Sequence, residues 1–262
     1  MEGVPRAESI VCLTAETTEI AFALGCGDRV VGVSGYAVRP PEARKKPRVA
    51  AFQTAHVEKI LALKPDLVLG FSDLQADIIR DLVKRGAQVL VTNQRTLAET
   101  YQAMMLIAGA LGEYEAGLRL VAELCGGLAE IRATTSDSAH RPRVYFEEWD
   151  EPLISGIAWV SELIAICGGE DVFAHLSAGV TASERVVEPG AVIGADPEVI
   201  VASWCGKKAQ LKRIAQRPGF ETISAVRAGR IYEIKAPDIL QPGPSLIHGA
   251  RQLAAFIAAA RD

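Results

Sequence analysis

Aromatic residues are scarce in this chain, 6% of 262 residues. A tryptophan or tyrosine in polar surroundings is therefore informative. Basic excess is missing too: 28 Lys and Arg stand against 32 Asp and Glu, a net charge of −4. The basic clusters Arg44–Lys46 and Lys207–Lys208 are short, so nucleic-acid binding is excluded as the expected role. No run of eighteen apolar residues occurs, which excludes insertion as a membrane-spanning helix. The five cysteines (Cys12, Cys26, Cys125, Cys167, Cys205) are odd in number, scattered and without a CxxC pair. They indicate neither a disulfide framework nor a zinc site and fit a reducing compartment. His56 and His248 have no HxH, HExxH or carboxylate companion at ligand spacing, so no metal centre is expected. There is no GxSxG, no P-loop and no GxGxxG after a strand, so no catalytic motif and no catalytic cofactor is indicated. The start, MEGVPRAESIVCL, lacks the charged end, apolar run and small-residue cleavage site of a leader. It reads either as a cytoplasmic chain or as one whose leader has been removed.

What is present is an ordinary globular composition, 49% apolar and 23% charged, enough for one large domain or two of about 120 residues. A long proline-free stretch, Thr96–Asp137, carries apolar residues at helical spacing: Leu97, Tyr101, Met104 and Met105, then Leu118, Val121, Leu124 and Leu128. Thr96 and Glu99 form a capping-box pattern at its start. Gly112 predicts a break between a first helix of about 15 residues and a second of about 24, the second about 36 Å long at 1.5 Å per residue. This segment, 96–137, reads as a rigid connector between an N-terminal lobe, 1–95, and a C-terminal lobe, 138–262.

Both flanks alternate strand and helix, which predicts α/β lobes with parallel sheets. In the first lobe, strands are expected at Ser9–Leu13, Val30–Val33, Asp66–Gly70 and Gln88–Thr92. Helices are expected at Thr14–Gly25, His56–Leu63 and Leu74–Arg85, and Pro40, Pro41 and Pro47 mark a rigid loop. In the second, strands are expected at Arg143–Glu147, Glu198–Ser203 and Arg230–Ile234, with a closing helix at Ser245–Arg261. The halves echo each other: KPDLVL at Lys64–Leu69 matches DPEVIV at Asp196–Val201, and Glu19 with Gly25 matches Glu162 with Gly168. Two lobes of related, Rossmann-like topology follow, with a ligand crevice between them at the carboxyl ends of their strands.

VEKILALKPDLVLG, the paired halves and the long connector resemble the helical-backbone class of periplasmic-type substrate-binding proteins. That class serves ABC importers of cobalamin, iron–siderophores and haem. VYFEEWDEPLISGIAWVSELIAICGGEDVF, SWCGKK, RPGF, AVRAGRIYEI and LQPGPSLIHG resemble its cobalamin-binding branch more than its siderophore branch. The resemblance runs from about Ser9 to Phe256. It implies a monomer that binds a corrinoid, cobalamin, and a periplasmic location with an ABC permease as partner. Two acidic residues, one per lobe, would meet permease arginines: Asp77 beside Ala76 on the first, Glu188 or Glu184 on the second.

A corrin ring calls for flat, rigid side chains. Trp149 and Trp204 lie where strand ends would face the crevice, and Trp159 precedes a helix; the alternative for each is packing in a lobe core. In the first lobe Tyr36, Phe52 and Phe71 follow strands and are contact candidates, or else anchors for their loops. Glu16, in the first strand-to-helix turn, either faces the ligand or caps its helix. By the resemblance the Gln241–Pro244 turn lies near the crevice mouth, which makes Gln241 a contact candidate. A thiolate from Cys205 is a lesser alternative, as are the basic clusters answering a corrinoid's amides and phosphate. Three rivals stay open: a siderophore or haem binder of the same fold, a cytoplasmic corrinoid-handling protein, and an α/β enzyme of unrecognised type.

Overall fold

The computed structural model describes residues 6–135 and 139–261. Ser136 and Asp137, which close the expected connector, and the first five residues lie outside the described part. The chain divides into two compact units, 1–94 with 98–123 and 95–97 with 124–262.

The first unit holds β1 (Ile10–Cys12), α1 (Ala15–Ala23), β2 (Val30–Ser34), β3 (Arg48–Ala50), α2 (Val57–Ala62), β4 (Leu67–Phe71), α3 (Ala76–Lys84) and β5 (Val89–Thr92). They form one all-parallel sheet in the order β3-β2-β1-β4-β5. Its core packs Val11, Leu13, Val49, Ile60, Val68 and Leu82, each adding about 1.5–3 kcal/mol by full burial. β3 was not expected from the sequence. Three residues behind Pro47 are too few to show alternation, and the proline-marked loop hid the strand.

Next come α4 (Leu97–Leu111) and α5 (Tyr114–Thr135), of 15 and 22 residues. Gly112, at φ +76°, makes the break between them, a left-handed turn that glycine adopts without strain. Gly117 lets the two helices meet: a Cβ there would lie 2.5 Å from that of Ala108. α5 begins in the first unit and ends in the second.

The second unit holds β6 (Arg143–Asp150), β7 (Leu153–Ser155), α6 (Ala158–Ile166), β8 (Glu170–Asp171), α7 (Pro189–Ala195), β9 (Val199–Ala202), α8 (Leu211–Ala215), α9 (Ser224–Arg227), β10 (Ile231–Glu233), α10 (Ala236–Ile239) and α11 (Leu246–Ala258). Its sheet runs β10-β9-β6-β7, with β8 paired to the start of β6. β7 is an antiparallel edge strand on an otherwise parallel sheet, which strand–helix alternation does not predict. The hairpin was hidden because only Glu151 and Pro152 separate its strands.

The internal echo is physical. Lys64 and Asp196 both hold left-handed backbone, φ +48° and +42°, just before the prolines that lead into β4 and β9. The acidic residue after each proline then grips the neighbouring strand's start. Asp66 Oδ2 accepts the N–H groups of Glu8 and Ser9 at 2.9 Å, and Glu198 Oε2 accepts that of Arg143 at 3.0 Å. One supersecondary device thus sets the β1/β4 and β6/β9 pairs in register.

Candidate functional site

In an open α/β sheet, ligands collect outside the carboxyl ends of the strands, where successive connections leave in opposite directions. In the first unit β1 connects outward to β2, while the chain returns to the far side of β1 to lay down β4. The switch lies between β1 and β4. By the same reading it lies between β6 and β9 in the second unit. Most of the expected site residues cluster at these two points, and each cluster is tied by one buried polar side chain.

In the first unit that side chain is Gln75, fully buried in the turn after β4. Its Oε1 accepts the N–H of Phe71 at 3.2 Å, and its Nε2 donates to the carbonyls of Phe52 at 3.1 Å and Leu13 at 3.5 Å. The loops after β1, β3 and β4 are thereby joined. Phe71 ends β4 rather than following it and is buried; Phe52 is half-buried. Tyr36, beyond β2, is 50% exposed. Glu16 sits in the first turn of α1, behind the N-cap Thr14, and is 3% exposed. Burial, opposed in part by hydrogen bonds from Thr14 and the helix backbone, pushes its carboxyl up to about 7. The Cys12 thiol below is pushed by burial to about 12 and stays uncharged.

In the second unit the tie is Glu147, on β6 and fully buried. It accepts the indole N–H of Trp204 at 3.1 Å and a two-pronged ion pair from Arg217, one prong at 2.9 Å. Burial works against the Arg217 charge, but the Glu147 bonds prevail and hold its pKa above the ordinary range. Burial, with Glu147 beside it, keeps the Tyr145 hydroxyl protonated. The Trp204 ring, 2% exposed, packs into this unit's core. Trp149 lies within β6, half-buried, its indole N–H donating to the Glu151 carbonyl at 3.0 Å. Lys207 joins the two rings: its Nζ stands 3.9 Å from the Trp149 centroid and 4.9 Å from that of Trp204. Asp150 pairs with Lys207 at 2.5 Å and with Arg213 at 3.7 Å.

The remaining expectations fall elsewhere. Trp159 is buried on α6, with Nε1 donating to the Ile239 carbonyl at 2.8 Å, the packing alternative. Gln241 is half-buried in the turn between α10 and α11. Asp77 is exposed in the first turn of α3 and paired with Arg80 at 2.9 Å. Glu184 is spent locally, accepting the Thr181 N–H at 2.8 Å; Glu188 is an exposed N-cap of α7. By the repeat, α3 corresponds to α8 and α7 to α2, so the two acidic sites are not topologically equivalent. Cys205 is exposed. Among the described residues no group of three or more His, Cys, Asp or Glu is placed to hold a metal ion. Nor is any helix among them long and apolar enough to cross a membrane. Gln75 and Arg217 were missed by sequence reading. A buried amide and a partly buried guanidinium carry no periodic signature, and only their partners reveal them.

These features define a class, and comparison with known proteins places the chain within it. Residues 10–237 match the Periplasmic binding protein family, and the chain belongs to that family. It is 30% identical over 259 residues to YvrC of Bacillus subtilis strain 168, an uncharacterised ABC transporter substrate-binding lipoprotein, covering 95% of this chain and 80% of that one. It is 29% identical over 257 residues to a vitamin B12-binding protein of Vibrio cholerae, covering 96% and 89%. Among solved structures, the periplasmic haem-binding protein RhuT of Roseiflexus sp. RS-1 superposes with a TM-score of 0.84 at 28% identity, covering 98% and 100%.

Proposed function

We propose that this chain binds a corrinoid, cobalamin in the first instance, and presents it to an ABC permease. The ligand's candidate contacts lie at the carboxyl ends of the strands of each unit. On the second unit Trp149 contacts it once Lys207 moves off the ring, with Trp204 as the rigid floor beneath. On the first unit Tyr36, Phe52 and Phe71 are the apolar contacts, and Gln241 on the second unit is a polar one. The Trp149–Lys207–Trp204 stack at the β6/β9 switch point is the observation that carries this reading. A half-buried indole held flat by its own N–H bond offers an apolar face to a ring of matching size, and aromatic burial supplies most of the affinity. The 29% identity to a vitamin B12-binding protein over nearly the whole chain supports the same ligand.

The chain acts as a binding protein, not an enzyme. Asp77 on one unit and Glu188 on the other, both exposed, meet the permease; Glu184 holds the turn before Glu188. Haem is the second reading, favoured by the likeness to the haem-binding structure. The site residues are tested by calorimetric titration of variants with cyanocobalamin. Trp149→Ala weakens binding tenfold or more, about 1.4 kcal/mol, while Trp159→Phe leaves it unchanged. Equal affinity in Trp149→Ala would remove the stack from the site.

A further inference from the structure

Glu16 is an expected contact that the corrinoid reading leaves without a chemical role. It stands at the β1/β4 switch point, on the central strand's outgoing turn, at the end of the sheet where ligands collect. It is 3% exposed, yet its Oε1 accepts no hydrogen bond. A buried polar oxygen without a partner costs about 1–3 kcal/mol, so the fold alone gives no reason to keep it there. Threonines line the turn: Thr14 and Thr17 hydroxyls lie 3.0 Å apart, and Thr18 donates to the Thr14 carbonyl at 2.7 Å. Thr14 also bonds the Glu16 carboxyl, yet Oε1 is left without a partner.

We propose that Glu16 is the specificity-determining residue of the ligand site: its carboxyl, when it carries its proton, hydrogen-bonds a neutral carbonyl oxygen, as on a primary amide, and once ionised it turns carboxylates away. The inference rests on the corrinoid reading and sharpens it. A corrin carries peripheral amides, whereas haem carries propionates, which share the sign of an ionised Glu16.

The electrostatics follow from the groups around it. Glu19, one turn along α1, is the charged group acting directly on Glu16, and it disfavours ionisation. Glu19 is paired with Arg39 at 3.5 Å, which draws that cation to the neighbouring carboxylate. On β1 below, Cys12 is uncharged. The carboxyl therefore holds its proton to about neutral pH and donates it to the ligand oxygen; above that it is a desolvated anion facing an acceptor.

The test is calorimetric titration of the full chain from pH 5.5 to 8.5 with three probes: cyanocobalamin, a cobalamin monocarboxylate in which one peripheral amide is hydrolysed, and haemin. With the carboxyl titrating near 7, wild-type affinity for cyanocobalamin falls about 30-fold across this range. Glu16→Gln keeps the shape and an N–H donor, and holds its affinity within about twofold throughout. The monocarboxylate loses affinity in the wild type more steeply than the parent. A flat wild-type profile, or the same fall in Glu16→Gln, would overturn the role of Glu16 while leaving corrinoid binding intact. Binding of haemin but not cyanocobalamin would overturn both readings, as would silence with all three. Thermal midpoints measured alongside separate the two roles, because a purely structural carboxyl moves the midpoint with pH and leaves affinity untouched.

Discussion

Lys207 rests on Trp149, its ammonium 3.9 Å from the ring centroid, and Asp150 answers the charge from the same strand as the ring. The lysine thus covers part of an aromatic face on the carboxyl end of the sheet, and a ring ligand seated there must move it. An exposed cation–π contact contributes about 0.5–1 kcal/mol. Lys207→Ala is therefore expected to bind cyanocobalamin about two- to fivefold more tightly by calorimetry. Weaker binding would mean that the ammonium itself holds the ligand.

The Glu147–Arg217 pair stands on different ground, because Glu147 is fully buried and the Arg217 side chain is 15% exposed. Removing one partner strands the other's charge in a low dielectric. Arg217→Ala is expected to lose about 3–5 kcal/mol in urea unfolding. Replacing both partners, Glu147→Gln with Arg217→Met, is expected to recover much of that loss. A single variant as stable as the wild type would show that water reaches Glu147.

Gln75 is expected to govern loop order rather than chemistry. Gln75→Met keeps the volume but orphans the Phe71 N–H and the Phe52 and Leu13 carbonyls. The expected loss is about 2 kcal/mol. Hydrogen exchange at the Phe71 amide should quicken more than at the mid-strand amides of β4.

Glu16 also ties stability to pH. Its carboxyl is raised from 4.5 to about 7 in the folded chain, so the folded state holds a proton that the unfolded state releases between those values. The proton's contribution is full below about pH 4.5 and is lost as pH rises through 7, reaching a penalty of about 3 kcal/mol on the alkaline side. Glu16→Gln should match the wild type near pH 5 and exceed it at pH 8 in denaturant melts.

How much of this was legible in the sequence differs between backbone and site. The KPD and DPE turns announced the repeat because proline and a following acid leave a local trace, and the structure gives both the same left-handed residue. The Gly112 break was legible for the same reason. β3 and β7 were not, being three residues each and flanked by proline. Strand-end position placed Trp149 and Glu16 at the carboxyl ends of their strands but gave no orientation. Trp204 turns inward because Glu147, 57 positions away, satisfies its N–H, and Trp159 does so because a carbonyl on α10 satisfies its own. Such pairings depend on tertiary contacts that no spacing rule encodes.

Calorimetric titration of the purified chain near pH 6 with cyanocobalamin, haemin and a ferric siderophore in parallel tests the identity of the ligand. Saturable binding of one cyanocobalamin per chain is expected, with a Kd of about 1 μM or tighter, and at least tenfold weaker binding of the other two. Saturation by haemin or the ferric siderophore with none by cyanocobalamin would contradict it and move the function to iron or haem uptake on the same fold.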